Sequence, residues 1–405
     1  MAGKKGRTVV MRIVHVITRL ILGGAQENTL LSVEGLQDRH QDDVILITGP
    51  AEGPEGDLFE RASRNRVNVE VMPELVRAIR PGTDIKAYRR LRESIRRLKP
   101  DVVHTHSSKA GIVGRAAAWD EKVPAVVHTI HGLPFGPSER PLKNKLYIWL
   151  ERWAAKRCHA IVSVCDSMTE QALAAGVGRP EQFQTVYSGM EVDAFLNPLR
   201  SREEVRRELG LEPDQVAFAT VARLFERKGH EDILAVAPLV LKHNPQVKFV
   251  WIGSGLLREK LEAEAERLGV RSSIIFTGLV PPERIPELLN ACDVVVHPSL
   301  REGLARVLPQ GLLCGRPGIS YDVDGAREVI ITDETGILLP ARDLGALEQA
   351  IGRLAANATL RERMGAEGRR RFAHQFRAET MVDELRSLYE RLLADRDVGG
   401  RPGQH

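Results

Sequence analysis

No run of about 18 uncharged apolar residues occurs in the 405-residue chain, which argues against a membrane-spanning helix. Cysteine is scarce: Cys158, Cys165, Cys292 and Cys314 lie in apolar segments, and none has Cys-x-x-Cys spacing. That pattern excludes a disulfide scaffold and a thiolate zinc site, and leaves structural thiols in a reducing cytoplasm. Aromatic residues make up only 5% and are few beside the basic residues, so stacking of nucleic-acid bases is not expected. Net charge is only +4, too small to dominate the choice of partner. The first residues (MAGKKGRTVVMRIVHVI) superficially imitate a signal peptide. Arg12, His15 and Arg19 interrupt the apolar stretch and no small-residue cleavage site follows, so the expected location is the cytoplasm.

The composition that is present, 43% apolar and 28% charged, suits a soluble protein with a sizeable core. At this length two domains of roughly 200 residues each are the natural expectation. In the first half, MRIVHVI, DDVILIT, VNVEVM, DVVHTH, AVVHTIH and AIVSVC are candidate strands, separated by helical patterns such as GAQENTLLSVEGLQ, IKAYRRLRESIRRLK and KAGIVGRAAAW. The rhythm restarts with VAFATVA, VKFVWIG, SIIFTGL, DVVVHPS, GISYD and GILLP. Alternating helices and unbroken apolar strands predict α/β architecture, two Rossmann-like, doubly wound parallel-sheet domains facing across a cleft. The expected division is 1–198 and 199–375, with a linker near 191–203. A C-terminal helix at about 376–397 completes the first domain, and 398–405 is a disordered tail.

Ligands of open parallel sheets bind beyond the carboxyl ends of the strands. In VARLFERKG, Arg223 and Lys228 follow such an end, where two cations suit a diphosphate whose charge grows as its bond to a sugar breaks. Taken alone the signal is weak, since loops with lysine and arginine are usually solvated. In HPSLREGLARVLPQG, Glu302 and Gly303 follow another strand of the same half, before a helix-compatible run that starts near Ala305. Glu302 can accept hydrogen bonds from sugar hydroxyls, or merely offset a helix dipole. Shared placement at strand ends favours the ligand reading. His104 and His106 point the same way from one strand, but no carboxylate or further histidine nearby in sequence completes a ligand set. They read as structural or acceptor-lining residues. WIGSG lacks a full dinucleotide fingerprint and reads as a tight turn. Residues 61–99 hold twelve Lys/Arg against four Asp/Glu. Segment 77–99 is therefore a candidate for peripheral contact with an anionic membrane, although its apolar positions follow the spacing of a helix packed on a sheet.

In order and spacing, the fragments GGAQ (Gly23 to Gln26), HTH (His104 to His106), TIHG (Thr129 to Gly132), VARLFERKG (Val221 to Gly229), WIGSG, FTGLV and Arg301 to Gln310 resemble the retaining family-four glycosyltransferases of the GT-B fold. The resemblance covers nearly the whole chain. It implies a transferase that moves a hexose-type sugar from a UDP- or GDP-sugar to a hydroxyl of a glycan or lipid-linked acceptor, without a metal, in cell-surface glycan or glycolipid assembly. By the same resemblance, Gly23 and Gly24 let the donor phosphates approach the backbone, and His131 sits against the transferred sugar. Arg223 and Lys228 clamp the diphosphate, Glu302 holds the sugar hydroxyls, and Gly278, Leu279 and Val280 line the base. Gly303, Leu304 and Ala305 belong to the donor site, and Gln26, His104, His106 and Lys109 to the acceptor side. Two departures stand out: Gln310 occupies the place of a second glutamate expected on the ribose, and Leu304 and Ala305 replace the usual aromatic and glycine. Glutamine can still bind ribose hydroxyls without the charge. No carboxylate is an obvious nucleophile, so front-side substitution is the expected mechanism. A phosphorylase, an epimerase or a nucleotide-sugar-binding scaffold on the same architecture are the alternatives.

Overall fold

Unbroken runs of branched apolar residues need cover on both faces of a sheet, and the chain supplies it twice. The computed structural model describes residues 10–51, 56–136 and 139–398. The basic segment before residue 10 lies outside them, as does the tail expected to be disordered except for Val398, which ends the last helix. The chain divides into Met1–Met190 with Ala378–His405, and Glu191–Arg377.

The first unit holds β1 (Arg12–Ile17), β2 (Asp43–Thr48), β3 (Asn68–Val71), β4 (Val102–His106), β5 (Ala125–Ile130), β6 (Ala160–Ser163) and β7 (Phe183–Thr185). All pair in parallel, in the order β3-β2-β1-β4-β5-β6-β7. The six strands expected from the sequence are β1–β6. Half-buried β7 is only three residues long, too short for a periodic signal. The C-terminal helix Ala378–Val398 returns to this unit. It buries Met381, Val382, Leu385, Leu388 and Tyr389 at helical spacing, a stabilisation of about 1.5–3 kcal/mol for each large apolar side chain. Beneath them Arg386 pairs with Asp42 at 2.8 Å, both side chains almost fully buried.

The second unit holds β8 (Val216–Val221), β9 (Val247–Ile252), β10 (Ile274–Gly278), β11 (Val294–His297), β12 (Gly318–Tyr321) and β13 (Gly336–Leu339). They too are all parallel, in the order β10-β9-β8-β11-β12-β13. Phe218, Phe249 and Trp251 fill the centre of its core. The stretch expected as a linker opens this unit instead. Helix Val192–Leu196 buries Val192 and Phe195, one turn apart, and stops before Pro198, whose ring disfavours helix at the preceding residue. Ser201 then caps helix Arg202–Glu208 by accepting from the Glu204 N–H at 3.2 Å. All four cysteines are buried and none forms a disulfide among the described residues.

Candidate functional site

In the second unit the strand order reverses between β8 and β11, hydrogen-bonded neighbours with Val294 against Phe218. Such a reversal leaves a crevice at the strands' carboxyl ends. After β8 the chain passes through Arg223 and Lys228 into helix His230–His243. Gly229 sits at φ 85°, and a Cβ there would come within 2.3 Å of the Pro298 carbonyl oxygen. Only glycine allows this approach, which lays the loop on the end of β11. The Leu300 N–H and the Ser299 hydroxyl both donate to the Arg227 carbonyl, at 2.9 and 3.1 Å. On the other side the Leu224 N–H donates to the Ser254 carbonyl at 3.0 Å, so the loop is held at both edges.

Lys228 Nζ thereby reaches Glu302 Oε1 at 2.5 Å, and His297 Nε2 lies 3.1 Å from the same oxygen. The Glu302 N–H donates to Asp324 Oδ2 at 2.8 Å. Burial opposes ionisation of Glu302, but the His297 hydrogen bond and the Lys228 charge outweigh it and hold the carboxyl at about 2. The group is therefore a carboxylate, an acceptor suited to hydroxyls. Among the described residues Lys228 Nζ bonds only Glu302, which leaves ammonium donors for an anion. Arg223 is exposed, its guanidinium 5.0 Å from the Phe225 ring centroid. His230, edge-on to Trp251, is held at about 3, chiefly by burial and then by His297 and Lys228, so it is neutral.

The other donor-side candidates lie around this crevice unequally. Gly278, at φ 75°, ends β10, and its carbonyl accepts from the Gly253 N–H at 3.0 Å. Leu279 is exposed and Val280 half-buried. The Gly303 carbonyl accepts from Gly325 N–H at 3.0 Å. Leu304 and Ala305 are buried, so a ligand would meet their backbone. Helix Val307–Leu313 begins later than the expected start near Ala305, which leaves residues 303–306 as a turn, and Gln310 is half-buried on that helix.

The first unit has its own reversal, between β1 and β4. Gly23 and Gly24 start helix Gly24–His40, with Gln26 folded back so that a Cβ on Gly23 would lie 2.8 Å from its Oε1. From the strands of the same reversal projects a line of histidines. His15 Nδ1 lies 2.9 Å from His106 Nε2, and His106 Nδ1 lies 3.1 Å from His131 Nε2. His104 bridges Tyr389 Oη at 2.5 Å and Thr129 Oγ1 at 2.6 Å. His15 escaped sequence reasoning because it is far from the His104/His106 pair in the chain. The parallel register sets it directly opposite His104.

His15, His104 and His106 offer ring nitrogens within 4.8 Å of one another, so a third histidine does join the pair. Five of their six nitrogens are already hydrogen-bonded, and a cation there would have to break those bonds. Only His15 Nε2 lacks a partner among the described residues. An unpaired buried acceptor is easier to tolerate than an unpaired N–H. The bonds therefore assign the proton of His15 to Nδ1, that of His106 to Nδ1, and that of His131 to Nδ1. Burial holds His15 at about 3 and His104, His106 and His128 well below the ordinary imidazole value, so the group is neutral at physiological pH.

Lys109 donates to the Ala78 carbonyl at 2.6 Å and pairs with Asp84, bracing the 76–80 loop. Part of the basic excess of residues 61–99 is offset by acids from outside the segment, Arg61 pairing with Glu34 and Arg64 with Glu60. On helix Pro81–Leu98, Arg90 pairs with Glu74, Arg92 and Arg96 with Glu121, and Arg97 with Glu70. No helix among the described residues is long and apolar enough to cross a membrane.

Residues 23–189 match the family model "Glycosyl transferase 4-like domain", and residues 201–371 match "Glycosyl transferases group 1". The chain is similar to the Escherichia coli UDP-Gal:alpha-D-GlcNAc-diphosphoundecaprenol alpha-1,3-galactosyltransferase, 28% identical over 389 residues, 95% of this chain and 98% of that protein. It is also similar to the D-inositol 3-phosphate glycosyltransferase of Xylanimonas cellulosilytica, 30% identical over 303 residues, 70% of this chain and 71% of the relative. Among solved structures, HepE from Anabaena in complex with UDP and glucose matches with TM-score 0.79 at 19% identity, over 94% of this chain and 100% of that one. Sucrose-phosphate synthase from Thermosynechococcus elongatus matches with TM-score 0.81 at 22% identity, over 95% of this chain and 99% of that one. These likenesses identify the fold as GT-B, built from two doubly wound parallel-sheet domains.

Proposed function

Because this chain belongs to the group 1 glycosyl transferases, we propose that it moves a hexose-type sugar from a UDP- or GDP-sugar to an acceptor hydroxyl, with retention of anomeric configuration. The observation that carries this reading is the meeting of Lys228, His297 and Glu302 at the β8–β11 reversal, with Arg223 in the same loop as Lys228. A carboxylate and two cations in one crevice match the two halves of a sugar diphosphate: hydroxyls on one side, phosphate charge on the other.

The chemistry follows from those groups. As the bond from the anomeric carbon to the diphosphate oxygen breaks, negative charge accumulates on the departing phosphate. Lys228 and Arg223 stabilise it there without a metal ion. The acceptor oxygen forms its bond to the anomeric carbon on the same face, and its proton passes to the departing phosphate oxygen. Glu302 orients the sugar through its hydroxyls, which fixes the reacting carbon in place. His131 is the first unit's candidate for a substrate contact, presenting the Nδ1–H that its bond to His106 dictates. Gln310 is assigned to the ribose. The acceptor is a glycan or a lipid-linked saccharide, as in the E. coli relative whose name specifies a diphosphoundecaprenol substrate, and the reaction belongs to cell-surface glycan or glycolipid assembly at the cytoplasmic membrane face.

Calorimetric titration with UDP-, GDP- and ADP-sugars, followed by NMR of the anomeric coupling in the product, tests the proposal. One sugar nucleotide should bind and be turned over in the presence of a chelator, with the anomeric configuration unchanged. Inversion at the anomeric carbon, or turnover of inorganic phosphate in place of a sugar nucleotide, would refute it.

A further inference from the structure

Helix Pro141–Ala155 has its polar and apolar sides distributed unusually. Its inner face is fixed by buried Ala154 and Ala155, and by Glu151, which receives Arg115 Nη2 at 2.7 Å with both side chains buried. On the opposite face Leu142, Leu146 and Trp149 are exposed by 85%, 49% and 59%. Spacings of four and three residues set them in one stripe, which half-buried Trp153 continues. An outward stripe of this kind is rare on a monomer surface and marks a contact.

The charges beside the stripe identify the contact. Lys145 and Lys156 are exposed and have no acidic partner among the described residues. Arg152 donates from Nε to the Ala175 carbonyl, and the Arg157 guanidinium lies over the Trp153 ring at 3.9 Å. A centre of leucine and tryptophan bordered by lysine and arginine is the composition of a helix lying in the plane of an anionic bilayer. Helix Pro81–Leu98 is different, because four of its arginines are already engaged by three acids, Glu70, Glu74 and Glu121.

We propose that helix Pro141–Ala155 is a membrane-docking element: Leu142, Leu146 and Trp149 enter the headgroup boundary of an anionic bilayer, while Lys145 and Lys156 meet its phosphates. The proposal deepens the reading of a lipid-linked acceptor and rests on it for its purpose, but its test needs no turnover.

The 405-residue chain is co-sedimented with vesicles of phosphatidylcholine alone and with an equal mixture of phosphatidylcholine and phosphatidylglycerol. Binding should favour the anionic vesicles and move Trp149 emission to shorter wavelength. The triple variant Leu142→Gln/Leu146→Gln/Trp149→Gln should lower the partition coefficient by about tenfold or more, and Lys145→Glu/Lys156→Glu by a similar factor. Ile85→Gln/Arg89→Gln, on helix Pro81–Leu98, should leave it unchanged. Three results would overturn the proposal: no wild-type binding to anionic vesicles, equal binding by the triple variant, or a wild-type dimer that the triple substitution converts to monomer without vesicle binding, which would assign the stripe to a second copy of this chain. Nucleoside diphosphate release with a water-soluble acceptor analogue separates the two readings. A chain that fails to dock but releases the nucleotide loses only this inference, whereas one that docks without releasing it loses the transferase reading.

Discussion

Acid should weaken the first unit before the second, because four buried histidines of its sheet are held neutral. His15, His104, His106 and His128 all lie far below the ordinary imidazole value, with burial as the main cause in each and neighbouring charges adding to it for the last three. In the unfolded chain each titrates near 6.5, so below that pH the unfolded state binds protons that the folded state refuses. Stability is thus fully present above about pH 6.5 and is lost as pH falls from there toward the folded value, about 3 for His15. Between pH 7 and 5.5 the loss is about 1 kcal/mol for each histidine, or a few kcal/mol for the four together, on the order of several times that of a single histidine. In the second unit His230 is the histidine displaced in this way, which gives only about 1 kcal/mol. Against a typical domain stability of about 5–15 kcal/mol, the difference is enough to order the two transitions. Urea unfolding at pH 7.5, 6.5 and 5.5, with limited proteolysis mapped by mass spectrometry, reads it directly. Cleavage should appear first within residues 10–190. First cleavage within 191–377, or a midpoint that does not move between pH 7.5 and 5.5, would refute the reasoning.

Three further outcomes are expected. Lys228→Ala and Arg223→Ala should each lower turnover by about 10²-fold or more, since each removes a cation from the developing phosphate charge; near-wild-type steady-state kinetics in both would remove them from the site. Gly229→Ala adds a Cβ in left-handed backbone, 2.3 Å from the Pro298 oxygen. It should displace Lys228 and lower turnover while circular dichroism stays native, and unchanged turnover would show that the loop tolerates the shift. Arg386→Met leaves buried Asp42 without its partner and should cost about 3–5 kcal/mol in urea unfolding. Adding Asp42→Asn should recover part of that loss, and a single variant as stable as wild type would contradict the burial of the pair.

Much of the architecture is legible in the chain itself, because a parallel strand buried on both faces announces itself as an unbroken apolar run. Twelve of the thirteen strands can be read in this way, together with the doubling of the pattern, and the exception, β7, has only three residues. The helix Val192–Leu196 was hidden for a related reason: five residues give too short a period to separate a packed helix from a linker. Residue type and position after a strand mark Arg223, Lys228 and Glu302 as candidates, since cations and a carboxylate there have few structural duties. Their partnership is a different matter. Lys228 meets Glu302 because β8 lies beside β11 and Gly229 lets the loop close on Pro298, contacts between segments some seventy residues apart. His15 likewise joins His104 and His106 only through the register of β1 on β4, and Arg386 finds Asp42 only when the last helix returns to the first sheet. Local period and composition determined which segments become strands and which residue types stand at their ends. Which ends become neighbours, and hence which charges share a proton, a carboxylate or a buried pair, was decided by strand order, which no local pattern encodes.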